Sequence, residues 1–278
     1  ITLLVSLISF VFNVAFNKIN LWPGVLLWNK KEKVFIIFFQ IMILISFLII
    51  WEVLAKFKII NTFLASSPSL IFKTLGKLVA SNDLFTHIKV TLLETIISFS
   101  LASIGGIVIA SILWWNKRLA KIFDPYLTVI NALPKVALGP LIIIWVGAST
   151  KSIIFMALLI SLFLSIINIY HDFSETDKNY LTLLKSLGAS KKDLFFKVVL
   201  PSNFSNIINN LKINTSMAYI GVIMGELLVS KKGLGYLIMY GSQVFNINLV
   251  ITSVFLLGVF AFLFYYVICL VERIVVKE

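Results

Sequence analysis

Tyr180-Leu-Thr-Leu-Leu-Lys-Ser-Leu-Gly-Ala-Ser-Lys-Lys-Asp-Leu-Phe-Phe-Lys-Val-Val-Leu-Pro201 is a water-compatible island between two long apolar runs, residues 152–170 and 202–228. It reads as two short helices, broken at Gly188 and stopped at Pro201. Ser174-Glu-Thr-Asp177 has the spacing of a capping box that opens the first helix, and Ser190-Lys-Lys-Asp193 repeats that spacing for the second. Gly188 suits the left-handed residue just past a helix end. A chain that folds a compact helical pair between membrane-length runs presents a surface to a partner.

Outside this island the chain is too apolar for a water-soluble domain. It is 60% hydrophobic and only 13% charged, with mean hydropathy +1.03. Several apolar runs exceed the length needed to cross a bilayer, and they are continuous rather than alternating with period two. The expected class is therefore an all-α polytopic membrane protein with a single membrane domain over 30–278 and little chain left for anything else. Spans are expected over about 34–55, 90–113, 126–148, 152–170, 202–228 and 249–271. Residues 1–29 form a separate apolar segment; its first 16 residues read as a truncated helix or as a segment lying in the interface, and both stay open. Between 56 and 89, Ser67-Pro68 reads as an N-cap and first helical residue, followed by an apolar stripe from Leu70 to Val79. That pattern predicts an amphipathic helix on the outer surface.

Charge sets an orientation. The net charge of +12 is mostly Lys in loops. Placing 30–33 in the cytoplasm puts 114–125, the loop 171–201 and 272–278 there too, and these segments hold most of the Lys and Arg, as the positive-inside rule requires. Trp114-Trp115 beside Lys117 and Arg118 makes an interface anchor. The basic segments have no interleaved exposed aromatics, which argues against nucleic-acid binding. Two His and one Cys leave no ordinary metal site.

Five stretches, in order, carry a resemblance. They are Leu64-Ala-Ser-Ser-Pro-Ser69; Asp124-Pro125 with Ala132-Leu-Pro-Lys-Val-Ala-Leu-Gly-Pro-Leu-Ile-Ile-Ile-Trp-Val-Gly147; Leu187-Gly-Ala-Ser190 with Val198-Val-Leu-Pro201; Gly225-Glu-Leu-Leu228; and Lys232-Gly-Leu-Gly-Tyr-Leu-Ile238. From about Phe63 to Glu272 the chain resembles the permease subunits of the nitrate/sulfonate/taurine branch of ABC importers. The resemblance implies a type I ABC-importer permease bundle of about six transmembrane helices in a bacterial cell membrane. It further implies a homodimer, two ATPase subunits that bind ATP and Mg on the chain's behalf, and an extracytoplasmic substrate-binding protein. The cargo would be a small solute of sulfonate, nitrate, taurine or pyrimidine-precursor type. The 171–201 loop is similar to the family's EAA loop, which docks into a cleft of the ATPase. The coupling residues so implied are Thr182, Leu183, Leu184, Leu187, Gly188, Ala189, Ser190, Leu194, Phe195 and Pro201. Thr182-Leu183-Leu184 departs from the family's Glu-Ala-Ala.

The residues themselves nominate two further groups. Asn206, Asn210 and Asn214 recur every four residues and share one helix face. They read either as lining of a translocation path or as hydrogen-bonding glue between helices. Pro134 and Pro140 break the third span's hydrogen-bond ladder, which suits a kinked helix beside a pore. Glu226, with Gly233 and Gly235 in the loop that follows, is the candidate outer gate, with Lys231 or Lys232 as its expected partner. Glu94 is expected at the interface, and Lys135 near enough to its span's end to snorkel. The chain carries no Gly-x4-Gly-Lys-Ser/Thr, so it does not bind ATP by that motif. It is expected to be no enzyme; the alternative function is an autonomous channel or secondary carrier without an ATPase.

Overall fold

Inside a bilayer every backbone polar group must be satisfied within its own segment, and a helix does this along a single chain. The structure, a computed structural model, describes residues 30–275, and these are overwhelmingly helical. The apolar segment 1–29 lies outside the described residues. Helices follow as α1 Lys30–Lys56, a single turn Thr62–Ala65, α2 Pro68–Ala80, α3 Asp83–Trp115, α4 Lys117–Ala132, a 3₁₀ turn Lys135–Leu138, and α5 Gly139–Val146. Then come α6 Thr150–Ser174, α7 Lys178–Ser186, α8 Lys191–Leu194 with its extension to Ser202, α9 Phe204–Val229, α10 Leu234–Gln243 and α11 Ile247–Val275. Four of these are long and apolar enough to cross a membrane; with two bent pairs counted as one span each, there are six.

Local chemistry sets the boundaries. Ser67 caps α2, its Oγ accepting from the Leu70 N–H at 3.3 Å, with Pro68 in the first turn. Asn116 caps α4 through the N–H groups of Arg118 and Leu119, at 3.1 and 3.3 Å. Ser149 and Ser152 form a capping box at the start of α6.

The expectation for the third span needs correction. Pro134 and Pro140 do not both break it. Leu133 is extended (ψ 141°), as a residue before proline prefers, and the chain turns there by 83° between α4 and the Lys135–Val146 leg. Pro140 instead lies in the first turn of α5, where its missing N–H is no loss. One proline makes the bend and the other starts the next helix.

Contacts group the described residues into two units: 30–88 with Tyr236–Phe264, and Lys89–Gly235 with 265–275. In the first, the Ser69 N–H donates to Glu52 Oε2 at 3.0 Å and ties α2 to α1, while the rings of His87 and Tyr236 stack at 5.8 Å. In the second, α6 packs along α9. Gly221 and Gly225 bring the α9 backbone onto α6: a Cβ on Gly221 would lie 2.5 Å from Ala157 Cα, and one on Gly225 would lie 3.0 Å from Ile153 Cα. Ile153, Ala157 and Val222 form the buried seam between them. Small residues are what allow such approach where water drives no packing. A second cluster joins Ala110 of α3, Ile169 and Phe173 of α6, Phe195 and Val199 after α8, and Ile207 of α9.

Candidate functional site

The 171–201 loop is folded into helices with their own caps. Asp177 alone caps α7, its Oδ1 accepting from the Asn179 N–H at 2.8 Å. The box expected at Ser174–Asp177 does not form, because Ser174 is still the last residue of α6 and the Thr176 hydroxyl donates to the Phe173 carbonyl. At the other end of α7, Gly188 has φ 81°. The Gly188 N–H reaches the Lys185 carbonyl and the Ala189 N–H the Leu184 carbonyl, both at 3.0 Å. This is the paired bonding of a Schellman turn, which requires a left-handed residue where Gly188 stands. Ser190 and Asp193 form the capping box of α8. Asp193 also pairs with Lys197 at 2.7 Å. The Lys197 ammonium, then the Ser190 hydroxyl and N–H, hold the Asp193 carboxyl down at about 2.

Pro201 does not end the second helix. Residues Phe195–Val199 widen into a π-helical turn, and the helix continues through Pro201 to Ser202. The wider turn re-registers the backbone bonds just where the proline ring would meet the carbonyl one turn back.

Two coupling residues face inward rather than outward. Leu194 and Phe195 are 5% and 4% exposed. The Phe195 ring lies 5.1 Å from both Trp114 and Trp115 and 5.7 Å from Phe173. Their apolar area is already covered by the chain itself, so they anchor the loop and do not offer a docking face. The open face belongs to α7, where Tyr180, Leu183 and Leu187 are 59%, 58% and 77% exposed, with Thr182 also exposed and Leu184 half-buried. A helical pair held rigidly by one end, with an apolar stripe turned away from the bundle, suits a docking element.

The asparagine face divides along its length. Asn206 is exposed and donates to Asn203 Oδ1 at 3.2 Å. Asn206 and Asn210 line a polar cavity of about 260 Å³, together with Asn168, His171 and Asp172 of α6. Asn210 also accepts from Ser165 Oγ at 3.1 Å, and Asn214, at 2% exposed, hydrogen-bonds Ser103 Oγ at 2.8 Å. The first asparagine is open, the last joins α9 to α3, and the buried middle one borders the cavity while joining α9 to α6.

Glu226 is 1% exposed and bound on two sides. Thr91 Oγ1 donates to its Oε1 at 2.6 Å, and the Gly235 N–H donates to its Oε2 at 2.6 Å. Thr91 Oγ1 in turn accepts from the Leu234 N–H at 2.8 Å. Gly233 (φ 114°) passes so close that a Cβ there would overlap the carboxylate; one on Gly235 would lie 2.8 Å from Glu226 Cβ. The carboxylate thus staples α9, the 230–235 loop and α3 together. Its partners are a threonine and a backbone N–H, not Lys231 or Lys232 as expected from proximity in sequence. Glu94 lies beside it, buried inside the protein at 2% exposed.

Two features escaped the sequence reading. Gly221-Val-Ile-Met-Gly225 is a small-xxx-small stripe and signals the α6–α9 seam. Lys212, one cation in the otherwise uncharged stretch 198–225, pairs with Glu272 of α11 at 2.6 Å. An ammonium at that depth demands a carboxylate, and Glu272 is the one at the end of the last span.

Apolar helices of membrane-crossing length, a folded helix pair between two of them and a loop stapled by a buried carboxylate together describe a membrane-embedded helical protein. Residues 102–277 match the family described as binding-protein-dependent transport system inner membrane component. The chain belongs to that family and is an ABC-importer permease. It is 30% identical over 190 residues to the formylaminopyrimidine transport permease protein ThiX of Halalkalibacterium halodurans, covering 68% of this chain and 75% of that protein. It is 25% identical over 222 residues to the nitrate import permease protein NrtB of Synechococcus elongatus, covering 76% and 78%. The permease chain of the MetNI methionine ABC transporter in an inward-facing conformation has the same fold. It superposes with TM-score 0.60 at 16% identity, over 69% of this chain and 95% of that one. The family is one of transport permeases and not of enzymes, and its members work with an ATPase and a binding protein.

Proposed function

We propose that this chain forms, with a second copy, the transmembrane path of an importer in the bacterial cell membrane, fed by an extracytoplasmic binding protein. The ATPase is engaged by the helix pair 178–202, and Tyr180, Leu183 and Leu187 enter its cleft. The observation that carries this reading is the loop's construction: an exposed apolar α7, a left-handed turn at Gly188 and an anchor at Phe195 that reaches α3 and α6. Motion imposed on α7 by ATP passes through that anchor into the bundle, biasing one of its two states. The cargo is a small solute of the sulfonate, nitrate, taurine or pyrimidine-precursor type. The relatives' transport of a formylaminopyrimidine and of nitrate supports that class. Asn206 and Asn210 supply polar lining at one end of the path, and the Glu226 staple with Gly233 and Gly235 closes the other.

Gly188→Pro tests the docking element, since proline cannot adopt φ 81°. The variant is expected to reach the membrane and to lose co-purification of its ATPase. Leu187→Glu, which leaves the turn intact, is expected to do the same. An ATPase retained by both variants, with uptake intact, refutes the assignment.

A further inference from the structure

Behind α7 the loop encloses a second concavity, of about 620 Å³. Lys117 and Lys121 reach it from α4, Lys178 and Lys185 from α7, and Lys191 from α8. No Asp or Glu lines it, and among the described residues none of these five ammonium groups forms an ion pair. Lys191 Nζ instead donates to the Trp115 carbonyl. Lysines scattered over a basic loop would diverge into water; here three elements aim five of them at one hollow. Like charges so gathered repel unless an anion sits among them.

Position selects the kind of anion. The hollow opens beside Trp114, where α3 ends in the Trp-Trp-Asn-Lys sequence of a membrane interface. Beyond Lys121, α4 turns Ile122, Phe123 and Tyr126 outward at 57%, 48% and 62% exposure, an apolar surface next to the charged one. A phosphate held by lysines beside a surface fit for acyl chains is the arrangement of a phospholipid. We propose that this cavity binds the phosphate headgroup of an anionic phospholipid. The site is distinct from the docking face. Lys178, Leu181 and Lys185 lie on one side of α7, whereas Tyr180, Leu183 and Leu187 lie on the other. The lipid would brace the rear of the loop while its front is free, so membrane charge would tune how firmly α7 is held.

The test uses the full chain in nanodiscs of phosphatidylcholine mixed equally with phosphatidylglycerol, extracted into detergent and weighed intact by native mass spectrometry. Phosphatidylglycerol is expected to remain bound in preference to phosphatidylcholine. Lys121→Gln with Lys185→Gln should weaken that preference by about fivefold per lysine, whereas Lys121→Arg with Lys185→Arg should keep it. Lys73→Gln with Lys77→Gln, on α2, should change nothing. Gel filtration checks that each variant stays folded. Equal retention of the two lipids, or a double Gln variant that behaves as the parent, overturns the proposal. Displacement of phosphatidylglycerol by inorganic phosphate or ATP also overturns it, by assigning the cavity to a soluble anion.

Discussion

Truncating Phe195 to alanine separates the anchor of the coupling loop from its docking face. The ring is 4% exposed and contacts Trp114, Trp115 and Phe173 edge-on or tilted. Removing a buried phenylalanine costs about 3–5 kcal/mol, and edge-to-face partners put this site in the middle of that range or above it. Phe195 joins the loop to α3 and α6, but the α6–α9 seam of Ile153, Ala157 and Val222 is a separate cluster. The loss should therefore fall on local opening of residues 178–202 and not on the bundle. At 1.4 kcal/mol per factor of ten, even about 3 kcal/mol, the low end of that range, raises the open population by on the order of a hundredfold. Hydrogen exchange read by mass spectrometry on the purified permease is the assay. Amides in 178–202 should exchange on the order of a hundredfold faster in Phe195→Ala, while those in 215–228 keep their protection. In the assembled importer, ATP hydrolysis should persist while uptake falls, because the ATPase still docks on α7 but pulls on a loose lever. Acceleration below tenfold, or spread evenly over both segments, would refute the idea that Phe195 transmits motion from the loop.

Glu226→Gln keeps the size of the staple but replaces one of its two accepting oxygens with an NH2 group, so one of the bonds from Thr91 and Gly235 is lost, and it should raise ATP hydrolysis in the absence of binding protein and lower uptake. Gly233→Ala, strained at φ 114° and overlapping the carboxylate, should do the same more severely; unchanged rates in reconstituted vesicles for both would reduce Glu226 to a structural residue. In a chain whose own Cys269 has been replaced, Asn206→Cys should react with a small polar thiol reagent in every state and Asn210→Cys more slowly. Asn214→Cys should react only when trapped ATP parts α9 from α3, and uniform protection at all three positions would mean that this face is glue throughout. The Asp193 carboxyl, held by Lys197 at about 2 in the folded loop against an ordinary 3.8, contributes fully above the ordinary value. That contribution is lost as pH falls from about 3.8 towards about 2, so amide protection at Ser190–Leu194, corrected for intrinsic exchange, should decline in that window. Asp193→Asn should abolish the decline; an identical decline in that variant would place its cause elsewhere.

Much of this molecule was legible because the bilayer leaves a chain few options. Continuous apolar runs could only become helices, and helices run through the stretches at 34–55, 90–113, 152–170, 202–228 and 249–271, the second starting seven residues early at Asp83. The capping box at Ser190–Asp193 and the left-handed turn at Gly188 were readable because each depends on a few adjacent residues. Local rules failed where a neighbour outweighed them. Pro140 looked like a second break but opens a helix, since Pro134 had already ended the one before. Pro201 looked like a stop but is carried by a π-turn.

What the sequence determined by itself was the class: helical, membrane-spanning, of the importer-permease family, with a folded loop between two of its spans. Those properties are encoded in hydropathy, in spacing and in short motifs that need no tertiary contact. Only the tertiary structure decided which side of each motif is used. Leu194 and Phe195 share a loop with Leu183 and Leu187, yet the first pair is buried, Phe195 against two tryptophans from α3, and the second is left open. Asn206 and Asn214 share a helix face, yet Ser103 waits for only one of them. Glu226 sits near two lysines in the chain and bonds to neither, because the Gly233 turn brings the Gly235 N–H to its carboxylate while Thr91 comes from more than a hundred residues away. Burial and partnership are properties of what another segment brings to a side chain, and they became visible only once the helices were packed.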